Sequence, residues 1–103
     1  MRVITGSQRG RKLFTLEGND VRPTTDKVKE SIFNIIQFDV QDAKVIDLFA
    51  GSGQLGIEAL SRGAASATLV DKSRDAIAII RDNAAKAKLA DKCAIFQSDY
   101  LDF

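Results

Sequence analysis

The sequence has 103 residues, of which 45% are apolar and 28% are charged, and its formal net charge is +1. This length fits one small domain with its own core, and no apolar run approaches the roughly 18 residues of a membrane span, so membrane insertion is not expected. The single cysteine, Cys93, excludes an internal disulfide, and without any histidine neither a metal site nor a histidine base is expected.

The N-terminal residues lack the apolar stretch of a secretory signal, so we expect a cytoplasmic location. Residues 1–22 hold five cations and two anions, which makes this segment locally basic. Two β-prone runs, residues 3–5 and 12–16, flank a polar loop that contains glycine. They predict a basic β-hairpin extension over residues 1–22.

The first helix is predicted from about Thr25 to about Gln37, because the two threonines there are good helix caps. Its apolar residues recur at helical spacing and predict one buried stripe, formed by Val28, Ile32, Ile35 and Ile36.

After Lys44 the pattern changes to short apolar strands over residues 45–49, 67–70 and 94–97. Helices are predicted between them, over residues 54–62 and from a Ser73 cap to about residue 88. This order predicts an α/β fold, in which the hairpin and first helix precede the first βαβαβ half of a Rossmann-like, doubly wound sheet. Residues 23–103 would then form the cofactor-binding half of a domain.

The loop after the first strand, residues 51–56, matches the dinucleotide-binding pattern G-x-G-x-x-G. Gly51 and Gly53 would let the backbone approach a ligand closely. The N-terminus of the next helix would favour an anionic ligand at this position. Asp71 ends the second strand, where a carboxylate can bind both ribose hydroxyls, and a cap at Ser73 would leave it free to do so. A plain strand-to-helix turn is the alternative reading.

The choice of nucleotide depends on Asp47, four residues before Gly51. Its carboxylate would repel a pyrophosphate and attract the ammonium and sulfonium of S-adenosylmethionine. At the end of the third strand, Asp99 can accept from an adenine amine and Tyr100 can stack on the base, although a solvated turn residue is the alternative for Asp99. An NAD-type domain of an oxidoreductase remains the competing interpretation.

Three stretches, residues 2–13, 22–36 and 45–64, together resemble the bacterial small-subunit (16S) rRNA guanine-N2 methyltransferases, which are class I enzymes that use S-adenosylmethionine. The resemblance implies that Asp71 binds the ribose, that Lys72 flanks it and that Asp99 lies beside the adenine. It implies a lining for the methionine end that consists of Asp47, Phe49, Ala50, Gly51, Ser52 and Gly53.

For the substrate, the resemblance implies 16S rRNA or a small-subunit assembly intermediate. Arg22 and Thr24 would lie near the cofactor and target base, while Arg9, Arg11 and Lys12 would contact RNA phosphate. For these last three cations, a solvated charged edge that discourages strand pairing is the alternative.

The sequence departs from that family in one large respect. The Asn/Asp-Pro-Pro-Tyr/Phe catalytic motif is absent, since Pro23 is the single proline, and so are the fourth to seventh strands. We therefore expect the N-terminal part of a longer enzyme, with no catalytic residue and no methyl transfer of its own. A non-catalytic RNA-binding module on the same scaffold is the alternative, and the exposed strand 45–49 predicts self-association.

Overall fold

The computed structural model describes residues 2–15, 26–99 and 101–102. Three strands form one sheet: β1 (Lys44–Asp47), β2 (Ser66–Asp71) and β3 (Cys93–Gln97). The helices are α1 (Asp26–Ile35), α2 (Gln54–Ser61) and α3 (Arg74–Lys86), and a short 3-10 turn (Ala90–Lys92) leads into β3. No helix in these residues is both long and apolar enough to cross a membrane.

The sheet has the order β1-β2-β3, and both neighbouring pairs are parallel. This confirms the predicted βαβαβ unit, with each strand within two residues of its expected bounds. The carboxyl ends of all three strands lie at the same edge, because Asp47 is in register with Leu69 and Asp71 with Gln97. Open α/β sheets bind their ligands at this edge.

The core lies where α2 and α3 pack on the central strand. Ile57, Leu69 and Ile80 are fully buried there. Gly56 permits the close approach of α2 to β2, since a Cβ at this position would lie 2.3 Å from Leu69 Cδ2. The third glycine of the G-x-G-x-x-G pattern therefore serves packing in this fold rather than ligand contact.

The predicted buried stripe on α1 is wrong. Its members are exposed in the structure, Val28 by 50%, Ile32 by 38%, Ile35 by 81% and Ile36 by 37%. The helix buries the adjacent row instead, because Lys29 and Phe33, one turn apart, face the rest of the domain.

Within residues 2–15, the described part of the predicted hairpin, one antiparallel bridge pairs Arg2 with Lys12, while residues 1 and 16–22 lie outside the described residues. Two backbone bonds accompany the bridge, from Val3 N to Arg11 O at 2.9 Å and from Gly10 N to Val3 O at 2.8 Å. Val3 and Leu13 belong to the main hydrophobic core. Residues 2–15, which we call the N-terminal segment, are thus packed onto the domain in the part of the chain that the structure describes.

The N-terminal segment is held on α2 by Glu58, which is fully buried. Its carboxylate accepts from Ile4 N at 2.8 Å and Thr5 N at 3.1 Å. It also lies 3.5 Å from the ammonium of the buried Lys29 and 2.9 Å from the guanidinium of Arg62. One carboxylate thereby joins the N-terminal segment, α1 and α2.

Candidate functional site

A pocket of about 170 Å³ opens at the carboxyl edge of the sheet. Residues at or just after the carboxyl end of each strand contribute to it: Leu48, Phe49, Asp71, Lys72, Ser98 and Asp99. The structure therefore brings together four of the residues singled out from the sequence, which are Phe49, Asp71, Lys72 and Asp99. Leu48 and Ser98 were not expected there, although both directly flank residues that were.

Asp71 is not free, contrary to the expectation from the sequence. Its Oδ2 accepts from Gly51 N at 3.0 Å, and its Oδ1 accepts from Ser73 N at 2.9 Å. The predicted cap is confirmed, since Ser73 Oγ accepts from Ala76 N at 3.2 Å, but capping occupies the hydroxyl and not the backbone N–H of Ser73. Each carboxylate oxygen can accept two hydrogen bonds, so Asp71 retains capacity for a ligand.

The glycine loop has its two tight positions at Gly51 and Gly53, with φ of 59° and 82°. Both values lie in the left-handed region that favours glycine. A Cβ at Gly51 would meet open space, whereas one at Gly53 would lie 3.3 Å from Ile80. Gly51 is therefore the position at which a ligand can approach the backbone.

The other loop residues form a buried turn. Ala50, Ser52 and Gly53 are buried, and the turn is closed by a bond from Gly53 N to Ala50 O at 2.7 Å. Gly53 caps α2 with no side-chain hydrogen bond to the first turn. The N–H groups of that turn are left without an intrahelical partner, as at any helix N-terminus.

Asp47 lies at the end of β1 and is half-buried. Burial raises the pKa of its carboxyl group, the hydrogen bond that it accepts from Phe49 N opposes this, and the negative charge of Asp71 raises the pKa further. Asp47 lines a separate apolar groove of about 290 Å³, formed by α1, β1 and α2. The structure thus places it beside the pocket of Asp71 and Asp99 but not in its lining.

Three cations of the N-terminal segment lie on a second surface. Residues 7–12 line an open depression of about 440 Å³ that contains Arg9, Arg11 and Lys12. Next to this loop, the ammonium of Lys86 lies 4.5 Å from the ring centre of Phe14. Lys86 was missed in the sequence because it belongs to α3, more than 70 residues away along the chain.

Three residues singled out from the sequence, Arg22, Thr24 and Tyr100, lie outside the described residues. Asn83 and Glu58 were missed, because a buried polar side chain carries no sequence signal that names its distant partner. The hydrophobic spacing of each helix would mark them only as polar residues on a face that is otherwise apolar.

A three-stranded parallel sheet with a glycine loop after its first strand and an acidic residue after its second is the first half of a Rossmann-like fold of the class I methyltransferase type. The sequence matches the family described as "Conserved hypothetical protein 95" over residues 1–103, and the chain belongs to that family.

Two curated relatives carry names that state a function. The chain is 48% identical over 99 residues to "Putative rRNA methyltransferase YlbH" of Bacillus subtilis (strain 168), which covers 96% of this chain and 54% of that protein. It is 51% identical over 74 residues to "Ribosomal RNA small subunit methyltransferase D" of Escherichia coli (strain K12), which covers 72% of this chain and 37% of that protein.

Two solved structures share the fold. "Putative methyltransferase yhhF from Escherichia coli" superposes with a TM-score of 0.89 at 44% identity and covers all of this chain and 55% of its own. An "RNA methyltransferase from Salinibacter ruber in complex with S-Adenosyl-L-homocysteine" gives a TM-score of 0.72 at 25% identity over 80% of this chain and 53% of its own. The chain thus spans about half the length of YlbH and of both solved structures.

Proposed function

We propose that this chain is the cofactor-binding part of an S-adenosylmethionine-dependent methyltransferase that acts on the N2 amine of a guanine in 16S rRNA. The observation that carries the proposal is the pocket in which Asp71, Asp99 and Phe49 meet at the carboxyl edge of the sheet. Two carboxylates and an aromatic ring suit the adenosine part of such a cofactor, which offers ribose hydroxyls, an exocyclic amine and a flat base.

The dimensions and charges of the site fit this ligand. Pockets for drug-sized ligands measure roughly 300–1,000 Å³, and this one measures about 170 Å³, so it would hold only the adenosine part of the cofactor. The methionine part would extend past Gly51 towards Asp47, where a half-buried carboxylate offers a negative charge for its ammonium and sulfonium. Lys72 would flank the ribose, and Tyr100 would stack on the base.

The backbone of the glycine loop would complete the methionine end. Ala50, Ser52 and Gly53 would act through their peptide groups, because their side chains are buried or absent. We further propose that Arg22 and Thr24 lie near the cofactor and the target base.

The proposed substrate is 16S rRNA or a small-subunit assembly intermediate, which implies a cytoplasmic location. Arg9, Arg11 and Lys12 line one open surface, as expected for contacts with a phosphate backbone. The names of the curated relatives, which mention ribosomal RNA and the small subunit, support this choice.

Bound S-adenosylmethionine would supply an electrophilic methyl group on its sulfonium. The residues of this chain would hold and orient it: Asp71 fixes the ribose, and Asp47 faces the cationic end. Reaction at an amine then depends mainly on positioning and less on a strong base. Because the sequence lacks the Asn/Asp-Pro-Pro-Tyr/Phe motif, we propose that these 103 residues bind cofactor without transferring the methyl group.

A second candidate is a non-catalytic RNA-binding module on the same scaffold, which the open surface that contains Arg9, Arg11 and Lys12 favours. An NAD-type domain is disfavoured by Asp47, since a carboxylate near the glycine loop would repel a pyrophosphate. These alternatives differ in which ligand the chain binds.

Titration calorimetry with S-adenosylhomocysteine and with NAD⁺ tests the proposal. We expect binding of S-adenosylhomocysteine and none of NAD⁺. Binding of NAD⁺ alone would indicate a dinucleotide-binding domain, and binding of RNA without either nucleotide would indicate the non-catalytic module. Incubation of the chain with radiolabelled S-adenosylmethionine and 16S rRNA should give no labelled RNA.

A further inference from the structure

Asn83 occupies an unusual place in this fold. It lies on α3, its side chain is fully buried, and it makes hydrogen bonds to two segments that are distant in the sequence. Its Oδ1 accepts from Phe14 N at 2.6 Å, and its Nδ2 donates to Phe14 O at 2.9 Å and to Ser52 O at 2.8 Å.

These three bonds require an amide at this position. Two carbonyl oxygens need N–H donors and one backbone N–H needs an acceptor, which fixes the orientation of the side-chain amide. A carboxylate would place negative oxygen against both carbonyls, and an apolar side chain would remove all three hydrogen bonds to Phe14 and Ser52.

The two segments that Asn83 joins belong to different surfaces. Phe14 follows the basic loop, residues 7–12, by two positions, and Ser52 lies inside the glycine loop between Gly51 and Gly53. The same nitrogen atom donates to both carbonyls. A displacement of either segment therefore breaks a bond on the amide that holds the other.

We propose that Asn83 is a positioning residue that couples the basic N-terminal segment to the glycine loop. This inference rests on the proposed function, because it takes the first surface as the RNA site and the second as the cofactor site. RNA bound to the basic loop favours the docked segment, and the docked segment favours the glycine-loop conformation that receives the cofactor. Because coupling between two binding sites is reciprocal, cofactor strengthens RNA binding by the same factor.

The test measures the coupling itself. The affinity for S-adenosylhomocysteine is measured with and without a saturating short single-stranded RNA that contains guanine, in the wild-type chain and in Asn83→Asp. We expect RNA to raise the wild-type affinity by about fivefold or more, which is the lower end of typical allosteric coupling, and to leave that of Asn83→Asp unchanged. The matched control is Asn34→Asp, at an exposed position of α1, which should keep the wild-type ratio.

A purely structural role for Asn83 would lower both affinities and leave their ratio intact, so a preserved ratio in Asn83→Asp contradicts the proposal. If this variant does not fold, the wild-type chain still decides the question. Its Phe14 amide should exchange its hydrogen more slowly when S-adenosylhomocysteine is bound, and an unchanged exchange rate would overturn the coupling.

If neither probe binds, the proposed function fails, but the link can still be examined in the unliganded chain. Asn83→Leu should then speed hydrogen exchange at the Phe14 amide, which loses its acceptor, and at the Gly53 amide, whose peptide carbonyl, Ser52 O, loses its donor. Faster exchange at one amide alone would show that Asn83 does not connect the two segments.

Discussion

The carboxylate of Asp71 accepts a hydrogen bond from the backbone N–H of Gly51 at 3.0 Å. The residue that ends β2 thus holds the loop that follows β1, and it does so with one of the two oxygens that would bind a ribose. Under the proposed function, one side chain would both organise the loop and bind the ligand, so a simple truncation of Asp71 would disturb both.

Asp71→Asn should lower the affinity for adenosine about tenfold, because a charge-assisted bond to a hydroxyl is worth about 1.5 kcal/mol or more. Calorimetry with adenosine and with 2′,3′-dideoxyadenosine separates the two roles. The substitution should affect the dideoxy ligand little if Asp71 binds the ribose hydroxyls. An equal loss for both ligands would mean that Asp71 acts only through the loop, and Asp75→Asn, in the first turn of α3, is the matched control.

Asp47→Asn should stabilise the unliganded chain at neutral pH. Burial raises the pKa of Asp47 above its ordinary value of 3.8, so the folded protein favours the neutral carboxyl group. The contribution of the neutral Asp47 side chain to the free energy of unfolding is complete below pH 3.8. It is lost as the pH rises through the pKa that Asp47 has in the folded protein. Urea unfolding at pH 7 and at pH 3 should show a gain in the free energy of unfolding at pH 7 and no difference at pH 3.

Asp47→Asn should also weaken the binding of S-adenosylmethionine, by about tenfold. The binding of S-adenosylhomocysteine should weaken less, because that ligand carries no sulfonium. Asparagine keeps the acceptor for Phe49 N, so the local turn is retained. Equal losses for the two ligands would remove Asp47 from the sulfonium end of the site.

Glu58→Ala should lower the free energy of unfolding by about 3 kcal/mol, because it removes the partner of a buried ammonium and leaves two backbone N–H groups without an acceptor. Urea titration followed by circular dichroism measures this loss. Glu30→Ala, at an exposed position of α1, should change the stability by less than about 0.5 kcal/mol. A loss at Glu58 as small as that at Glu30 would contradict a stabilising role for the buried cluster.

The helix α1 shows where a prediction from sequence reaches its limit. Helical spacing identifies the apolar row of Val28 and Ile32 correctly, but it does not say which face the rest of the domain covers. The buried row contains Lys29, whose ammonium lies 3.5 Å from Glu58 and 2.6 Å from Arg2 O. Its burial depends on partners 29 and 27 residues away, which no local pattern contains.

The strands and the glycine loop could be predicted because their signals are local. A continuous apolar run, two glycines and a terminal acid each report on their own backbone, and Asp71 accordingly lies at the end of β2 as expected. The hairpin could not be predicted as well, because the signal is not local: the backbone of residues 2–15 makes hydrogen bonds to side chains of α2. Thr5 N and Gln8 N donate to Glu58 and Ser61, so a second strand is not needed to satisfy them.

Replacing Arg9 and Lys12 with alanine should weaken RNA binding and reduce its salt dependence. For a single strand, each phosphate contact contributes about 0.7 to the slope of log affinity against log salt concentration, so two lost contacts reduce it by about 1.4. Fluorescence anisotropy over a salt series measures the slope. The double alanine variant of Lys44 and Lys92, exposed residues at or next to the amino ends of β1 and β3 that do not line the basic depression, should keep the wild-type slope. A smaller slope in the Lys44 and Lys92 variant, with an unchanged slope in the Arg9 and Lys12 variant, would mean that RNA does not bind at the basic loop.

We predict that the 103-residue chain self-associates through β1. In the described part of the chain this strand pairs with β2 on one side, and Ile46 on it is 64% exposed beside the exposed apolar row of α1. Strand edges of this kind tend to pair with another chain. Sedimentation velocity should show a dimer at high concentration that Ile46→Lys converts to monomer, because a buried lysine charge at the interface would lack a partner. Ala94→Lys on β3, at the other edge of the sheet, should remain dimeric, and a wild-type chain that is monomeric at every concentration would contradict the prediction.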